Sequence, residues 1–271
     1  MPELPEVETT RRGIAPAVSG RIVDRVVVRD RRLRWPVPAT LRRELTGARI
    51  TAVRRRAKYL LLDTDRGTVL IHLGMSGSLS VVSADTPPSI YDHVDIVLKD
   101  GNCLRLRDPR RFGAVLWTRG EPGRHRLLAG LGPEPLGPDF DGQSLYSRVR
   151  GRRRAIRDVL LDSHVVAGIG NIYANEALFR AGIDPRRAAG RISRERCDRL
   201  VQALREVLKE AIEAGGSTLR DFRRADGQPG YFQLDLKVYG RAGKPCPVCA
   251  TPIRRQVHGA RSLFYCPKCQ H

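Results

Sequence analysis

The sequence changes character at Leu131-Gly132-Pro133-Glu134-Pro135-Leu136-Gly137-Pro138-Asp139, a stretch rich in proline and glycine. Before this stretch, apolar and polar residues alternate in short runs, a period of two that is typical of strands. Beyond it, apolar residues recur every three or four positions, as they do on one face of a helix. We therefore expect an α+β protein of two domains, which this stretch joins.

The N-terminal part contains several short apolar runs that predict strands and are separated by turn residues. These runs are Arg21–Asp30, Ala48–Arg56, Tyr59–Asp63, Thr68–Leu73, Leu79–Val82, Val94–Lys99 and Cys103–Arg107. The turns Asp65-Arg66-Gly67 and Asp100-Gly101-Asn102 are expected to close two hairpins. Many short strands after a single helix indicate an antiparallel sandwich or barrel.

Two apolar stripes with a helical period follow the boundary. The first consists of Leu145, Val149, Ile156 and Leu160. The second runs from Cys197 to Ile212, and Ser193 can cap its start while Gly215-Gly216 ends it. The C-terminal part is therefore predicted to be mainly helical.

Six of the ten residues from Arg148 to Arg157 are arginines, and none is acidic. On a helix with an apolar stripe, these arginines are expected to lie on the exposed faces, and the ordinary explanation is a solvated surface. Six uncompensated positive charges favour phosphate binding instead.

The whole chain is strongly basic, with 49 Lys and Arg against 29 Asp and Glu in 271 residues, and its net charge is +20. Such an excess indicates a polyanionic partner, either nucleic acid or an anionic membrane surface. No apolar run approaches the roughly 18 residues needed to span a bilayer, and the N-terminal residues do not have the pattern of a signal peptide. We expect a cytoplasmic, nucleoid-associated protein.

The two pairs Cys246-Pro247-Val248-Cys249 and Cys266-Pro267-Lys268-Cys269 are separated by sixteen residues. This spacing allows four thiolates to hold one structural zinc ion, with no coordination site left for water. Redox exchange is the alternative, but it needs only one pair. The intervening residues predict a hairpin with its turn at His258-Gly259-Ala260, whereas Cys103 and Cys197 are expected in the core.

The N-terminus reads Pro2-Glu3-Leu4-Pro5-Glu6-Val7-Glu8, and Val7, Ile14 and Val18 then fall on one helical face. After removal of Met1, Pro2 is a secondary amine at the start of this helix and a candidate nucleophile. The alternative is that the prolines form only a rigid lead-in to a surface helix.

Three further segments contain glycine together with residues that suit DNA. Asp108-Pro109-Arg110-Arg111-Phe112-Gly113 and His72-Leu73-Gly74-Met75-Ser76-Gly77 lie at strand ends, where arginine can bind a base edge and Phe or Met can enter a base stack. The alternative is that Phe112 and Met75 are core residues. Ala167–Glu176 predicts a glycine turn before a helix, which suits a phosphate or a simple interhelical turn.

Together these motifs resemble the bacterial formamidopyrimidine-DNA glycosylases, over essentially the whole chain. The matching segments are Pro2–Glu8, Arg56–Leu60, His72–Gly77, Asp108–Gly113, Gly168–Tyr173, Gly227–Phe232 and the four cysteines. The resemblance implies a β-sandwich with an N-terminal helix, then a helix-two-turn-helix domain that ends in a zinc hairpin. It implies a catalytic domain over residues 1–132, a linker over 133–139, the helical domain over 140–239 and the zinc finger over 240–271.

The activity implied is that of a bifunctional glycosylase and abasic-site lyase, a monomer that excises 8-oxoguanine and formamidopyrimidines from damaged duplex DNA. By resemblance, Pro2 attacks C1′ to give a Schiff base, and β,δ-elimination then cuts the strand. Glu3 matches the general acid or base, and Glu6 a carboxylate that orients the N-terminus. A retained Met1 would block this chemistry by converting the Pro2 nitrogen into an amide.

The resemblance also implies contacts with DNA around a flipped-out base. Met75, Arg110 and Phe112 match the side chains that fill the space it leaves. The phosphate ligands are implied at Lys58, which also serves the catalytic site, and at Asn171 and Arg261. Further contacts are implied at Tyr91, Arg153, Arg220 and Tyr231, the last two within a loop, Thr218 to Tyr231, that covers the base.

The sequence departs from the family pattern at three positions. Arg157 and Arg220 stand where lysine is common, and Tyr91 where histidine is often found. Two alternatives remain open. One is the related endonuclease VIII branch, which prefers oxidised pyrimidines and against which Leu4 argues, and the other is a non-catalytic zinc-containing DNA-binding protein.

Overall fold

The computed structural model describes residues 2–215, 236–259 and 261–271. Contacts between Cα atoms divide these residues into two compact units. The first contains residues 2–129 and 214–215, and the second contains residues 130–213 together with the described residues from 236 to the C-terminus. Among the described residues, no helix is long and apolar enough to cross a membrane.

The first unit is a sandwich of two antiparallel four-stranded sheets. Its strands are β1 (Val23–Val28), β2 (Ile50–Arg56), β3 (Tyr59–Thr64), β4 (Gly67–His72), β5 (Ser78–Ser83), β6 (Asp92–Leu98), β7 (Asn102–Arg107) and β8 (Ala114–Thr118). One sheet has the order β1-β6-β7-β5 and the other β2-β3-β4-β8. The two sheets remain separate, so the prediction of a sandwich or barrel is resolved in favour of the sandwich.

Both predicted hairpins form, in a register that aligns the strand ends. Thr64 pairs with Gly67 across one turn, and Val97 pairs with Cys103 across the other. Every residue of β6 is buried, and this strand lies between β1 and β7 in its sheet.

Helix α1 (Leu4–Val18) covers the core of the sandwich, and a short helix α2 (Leu41–Leu45) follows β1. Val7, Ile14 and Val18 have no exposed surface and belong to one apolar cluster with residues of both sheets. The predicted apolar face of α1 is thus confirmed. Burial of this face fixes the position of the helix, and therefore of the residues at its N-terminus.

The second unit is mainly helical. It consists of α3 (Gly142–Val149), α4 (Ile156–Leu160), α5 (Asn171–Arg180), α6 (Arg194–Glu213) and the hairpin β9 (Arg254–His258) and β10 (Arg261–Tyr265). The predicted stripe on α6 is confirmed, since Cys197, Leu200 and Leu204 are fully buried. The Ser193 hydroxyl accepts a hydrogen bond from Arg196 N–H at 3.4 Å, as expected of an N-cap.

The first predicted stripe is divided between two helices rather than carried by one. Helix α3 ends at Val149, and Gly151 takes a left-handed conformation at φ 75° before α4 begins at Ile156. Glycine adopts such a φ without the steric cost that a Cβ atom brings, so it allows the chain to leave the helix here. The prediction that Arg148–Arg157 lies on helical faces is therefore wrong for its central residues.

Cys103 and Cys197 lie in the cores of the two units, as expected. Burial raises the pKa of each thiol to about 11, so neither is a thiolate near neutral pH.

Candidate active site and metal centre

The N-terminus of α1 is capped by carboxylates of its own first residues. Glu3 is the N-cap, its N–H donates to Glu6 Oε2 at 2.8 Å, and the Glu3 carboxylate accepts from the Glu6 backbone in return. This capping box satisfies donors that a helix start otherwise leaves unpaired. Pro2, Glu3 and Glu6 are all buried. The box thus holds the peptide that follows the Pro2 nitrogen in one orientation.

A third carboxylate, Glu8, connects α1 to the turn that presents Lys58. Glu8 accepts from Arg55 Nε at 3.2 Å, and Arg55 Nη1 donates to the Ala57 carbonyl at 3.0 Å. Ala57 has φ 53°, a strained conformation for alanine that these contacts support. Burial alone would raise the pKa of Glu8, but hydrogen bonds from Arg11 and Arg12 bring it below its usual value. Glu8 is therefore an anion that anchors three arginines.

The imidazole of His72 lies beside this turn, a position to which the sequence analysis assigned no role. Its ring centre lies 4.8 Å from that of Tyr59, with the two ring planes tilted by 49°, and its Nδ1 accepts from Gly74 N–H at 3.0 Å. Burial, together with the charges of Lys58 and Arg34, lowers the pKa of His72 to about 4. The ring is therefore neutral at pH 7, with its proton on Nε2, and it can donate to an anion.

Because His72 is neutral in the folded protein, the free energy of unfolding depends on pH. Its folded pKa of about 4 lies below the unfolded value of 6.5, so its contribution to stability is complete above pH 6.5 and is lost as pH falls towards 4. We expect a loss of up to about 3 kcal/mol between pH 7.5 and 4 from this group. Urea unfolding at both pH values should show a smaller fall for His72→Asn, which has no group to titrate. An identical fall in both proteins would contradict the buried neutral imidazole.

Two loops of the first unit are fastened together by the buried carboxylate of Asp108. It accepts from the Ser76 hydroxyl at 2.9 Å and from Gly113 N–H at 2.7 Å, and Arg110 N–H donates to Ser76 Oγ at 3.2 Å. Gly74 has φ 63°, and a Cβ atom there would lie 2.4 Å from the Phe112 carbonyl carbon. Only glycine allows the two loops to approach this closely.

The three side chains that these loops present are exposed, although two of them are apolar. Met75 is 40% and Phe112 42% exposed, and the Arg110 guanidinium lies 4.7 Å from the Phe112 ring centre. The alternative that Met75 and Phe112 are core residues is wrong. The structure therefore brings Met75, Arg110 and Phe112 together on one surface.

Asp108→Asn is expected to lower the free energy of unfolding by about 1–3 kcal/mol, because an amide has one acceptor oxygen for two donors. The exposed Asp85 provides a control, since its carboxylate has no such role, and Asp85→Asn should change stability by less than about 0.5 kcal/mol. Chemical denaturation measures both. Equal stabilities for the two variants would show that Asp108 does not hold the loops.

Tyr91 lies immediately before β6 and next to the same pair of loops. Its carbonyl accepts from Asp108 N–H at 2.9 Å, and the Arg107 guanidinium lies 5.4 Å from its ring centre. The side chain is exposed, so Tyr91 is accessible from solvent.

In the second unit, polar residues of α5 hold the neighbouring segments. Asn171 Nδ2 donates to the Ser262 carbonyl at 2.8 Å, beside Arg261, and Asn175 Oδ1 accepts from Phe264 N–H at 2.8 Å. The Glu176 carboxylate accepts from three consecutive backbone N–H groups, those of residues 237–239. Asn171 and Arg261 are thus brought together, at the start of α5 and on β10.

The arginines of the α3–α4 segment have different environments. Arg153 is exposed in the connecting turn, whereas Arg157 is only 1% exposed, which contradicts the prediction of an exposed guanidinium. Arg157 Nη1 pairs with Asp158 at 3.1 Å, and Asp158 also pairs with His258 of the hairpin at 2.8 Å. Asp158 therefore links the buried Arg157 to the hairpin. Arg220, Tyr231 and the loop Thr218 to Tyr231 lie outside the described residues.

The four cysteine sulphurs of the two pairs lie within 4.8 Å of one another. The distances are 3.9 Å from Cys246 Sγ to Cys269 Sγ and 3.4 Å from Cys249 Sγ to Cys266 Sγ. Tetrahedral zinc with Zn–S bonds of about 2.3 Å requires sulphurs about 3.8 Å apart. Cys246, Cys249, Cys266 and Cys269 therefore fit one structural zinc ion, and zinc is the cofactor of this chain.

Three family models match successive parts of the chain. Residues 1–115 match the formamidopyrimidine-DNA glycosylase N-terminal domain, and residues 131–223 match the H2TH domain of the same glycosylases. Residues 243–271 match a zinc finger found in FPG and IleRS.

Curated relatives align with this chain over their full length. The formamidopyrimidine-DNA glycosylases of Thioalkalivibrio sulfidiphilus and Methylococcus capsulatus are each 60% identical to this chain, and the alignments cover 100% of both proteins. Among solved structures, MutM (Fpg) from Thermus thermophilus is 42% identical, with a TM-score of 0.89 over 99% of this chain and 98% of that one.

A further solved structure is the Lactococcus lactis Fpg in complex with DNA that contains an abasic site. It is 30% identical to this chain and has a TM-score of 0.91, with 100% of both chains covered. From the matched domains, the full-length relatives and the shared fold, we conclude that the chain belongs to the formamidopyrimidine-DNA glycosylase family.

Proposed function

We propose that this DNA glycosylase excises oxidised purines, chiefly 8-oxoguanine and formamidopyrimidines, through a Schiff base at Pro2 and then cuts the strand as an abasic-site lyase. The observation that carries the proposal is the buried capping box, which holds the residue after Pro2 at the start of α1. Base excision repair is the process that such an enzyme serves.

The Pro2 nitrogen supplies the electron pair that forms a bond to C1′ of the damaged nucleotide. The bond from C1′ to the base breaks, and the base leaves with that electron pair and gains a proton. The Pro2 nitrogen then loses its proton and O4′ gains one as the sugar ring opens, which gives a cationic iminium. When a proton is removed from C2′, the iminium accepts the electron pair and the 3′ phosphate leaves, and a second elimination releases the 5′ phosphate. Glu3 is the group proposed to move protons at the opened sugar, and Glu6 holds the Glu3 backbone.

A flipped-out base leaves a hole in the duplex that must be filled. Met75 and Phe112 are proposed to enter the stack, because they are apolar, exposed and held on adjacent loops by Asp108. The Arg110 guanidinium, beside the Phe112 ring, is proposed to bind the base that has lost its partner.

The flipped nucleotide is proposed to be held through its phosphates. On the first unit, Lys58 supplies a positive charge and neutral His72 an Nε2–H donor, and Tyr91 contributes a hydroxyl. On the second unit, Asn171, Arg153 and Arg261 are the proposed phosphate ligands. Arg220 and Tyr231, outside the described residues, are proposed to contact the DNA from a loop that covers the base.

The domain division remains a proposal. It places a catalytic domain over 1–132, a linker over 133–139, a helical domain over 140–239 and a zinc finger over 240–271. Bacterial DNA repair takes place in the cytoplasm, where the chromosome lies. The net charge of +20 supports association with the nucleoid, because DNA neutralises it.

Borohydride trapping tests the proposed function. The protein is incubated with a duplex that contains 8-oxoguanine opposite cytosine, or with one that contains an oxidised pyrimidine, and the adduct is then reduced. A covalent adduct with the 8-oxoguanine duplex is expected. An adduct confined to the pyrimidine duplex would indicate endonuclease VIII specificity, and tight binding without any adduct would indicate a non-catalytic protein.

A further inference from the structure

Arg34, Trp35 and Arg126 form a basic surface of the first unit to which no role has been assigned, and we call it the Arg34–Arg126 patch. The two guanidinium carbons lie 4.8 Å and 5.8 Å from the centre of the Trp35 ring. Both arginines are exposed, and Trp35 is partly buried. Cation–π attraction to one ring therefore holds two positive charges close together at the surface.

Among the described residues, no carboxylate neutralises either guanidinium. Within residues 2–215, 236–259 and 261–271, neither the Arg34 nor the Arg126 side chain has a hydrogen bond or an ion pair. Other exposed arginines of this unit differ, since Arg32 pairs with Asp30 and Arg119 with Glu44. Two neighbouring cations without a carboxylate repel each other, and a bound anion would remove that cost.

The patch is continuous with the proposed phosphate ligands of the same unit. Arg34 N–H donates to the Gly113 carbonyl at 3.0 Å, which places Arg34 beside the loop that presents Phe112. The charge of Arg34 acts on His72, and the charges of Arg34 and Arg126 both act on Tyr59, whose ring contacts that of His72. An anion that extends past His72 would therefore meet the patch next.

We propose that the Arg34–Arg126 patch binds phosphates of the DNA backbone beyond those held at Lys58 and His72, without reading the base sequence. The inference rests on the proposed function, because DNA is the extended polyanion that this surface would meet. A guanidinium that stacks on an aromatic ring keeps its N–H edge available, and that edge matches two phosphate oxygens. Trp35 thus acts as the support that fixes both donors.

The salt dependence of DNA binding tests the patch. Each phosphate contact adds about 0.9 to the slope of log K against log salt, so Arg34→Ala/Arg126→Ala should lower the slope by about 1.8. Between about 50 and 200 mM salt, the wild-type protein should lose about 12-fold more affinity than this variant. The loss should be equal for damaged and undamaged duplexes, because the contact is to the backbone.

A control with the same change of charge is Arg25→Ala/Lys99→Ala, at exposed positions in β1 and after β6. Its slope should equal that of the wild-type protein, and Arg34→Lys/Arg126→Lys should keep the wild-type slope because both charges remain. Thermal unfolding checks that each variant is folded. An unchanged slope in the alanine variant, or an equal fall in the control, would overturn the proposal.

Failure of the proposed function gives a different result. Borohydride trapping at saturating protein should remain in the alanine variant, because the patch does not touch the reacting atoms. A wild-type protein that forms no adduct would contradict the proposed chemistry, whatever the slopes show.

Discussion

Replacement of Pro2 by glycine is expected to lower borohydride-trappable adduct formation on the 8-oxoguanine duplex by about 100-fold or more. Losses of this size are usual when a residue that takes part in the chemical step is removed. Glycine leaves a primary amine, whose imine can lose its proton and its positive charge. The secondary amine of proline gives an iminium that stays cationic and remains an electron sink.

Pro16→Ala is the matched control, because Pro16 is an exposed proline farther along the same helix. This variant should form the adduct at the wild-type rate. Binding of the damaged duplex should be nearly unchanged in both variants, so the loss in Pro2→Gly is a loss of chemistry. An adduct of wild-type yield with Pro2→Gly would contradict the need for a secondary amine at this position.

The processing of Met1 is part of this prediction. Intact mass measurement should show that the active protein begins at Pro2, because an amide nitrogen cannot form a Schiff base. Protein that retains Met1 should bind damaged duplex and give no adduct, and trapping of that form would exclude Pro2.

Replacement of Cys249 by serine is expected to abolish zinc binding and to weaken DNA binding at least about tenfold. Structural zinc provides about 10–16 kcal/mol of folding free energy in small fingers, so three ligands should not keep the hairpin folded. Arg261 lies on β10, and its position relative to Asn171 depends on the contact from Asn171 to the Ser262 carbonyl. Loss of the hairpin therefore removes a proposed phosphate ligand.

Val248→Ser is the control for this variant, because Val248 lies between two ligands, is 74% exposed and contributes no sulphur to the metal. It should retain one zinc ion per chain and wild-type affinity. Zinc content is measured by atomic absorption and affinity by titration with labelled duplex. A zinc-free Cys249→Ser protein that binds DNA as tightly as the wild type would contradict a role for the hairpin.

The sequence predicted features that depend on neighbouring residues or on a short repeat. The period of apolar residues identified the helix Leu4–Val18 and the strands of both hairpins, and the spacing of Cys246, Cys249, Cys266 and Cys269 identified the zinc site. These features are local, because a helix face or a Cys-x-x-Cys pair is formed by residues a few positions apart.

The split between α3 and α4 shows where that reasoning fails. Leu145, Val149, Ile156 and Leu160 are all buried, so the apolar pattern was correct, but two short helices bury the same residues as one long helix would. A periodic pattern identifies buried positions and does not determine whether the backbone between them is continuous. The glycine at position 151, which adopts a left-handed conformation in the structure, was the available signal in the sequence for a break between the two helices.

By itself, the sequence determined the fold class and the four metal ligands, since the apolar periods and the cysteine spacing follow from local order along the chain. The catalytic and DNA-binding residues implied by the family resemblance stay predictions. Tertiary structure alone decided that Asp108 joins two loops, that burial lowers the pKa of His72, that Arg157 is buried and that Trp35 holds two arginines. Each of these depends on residues distant in sequence, whose packing removes water and thereby sets charge and exposure.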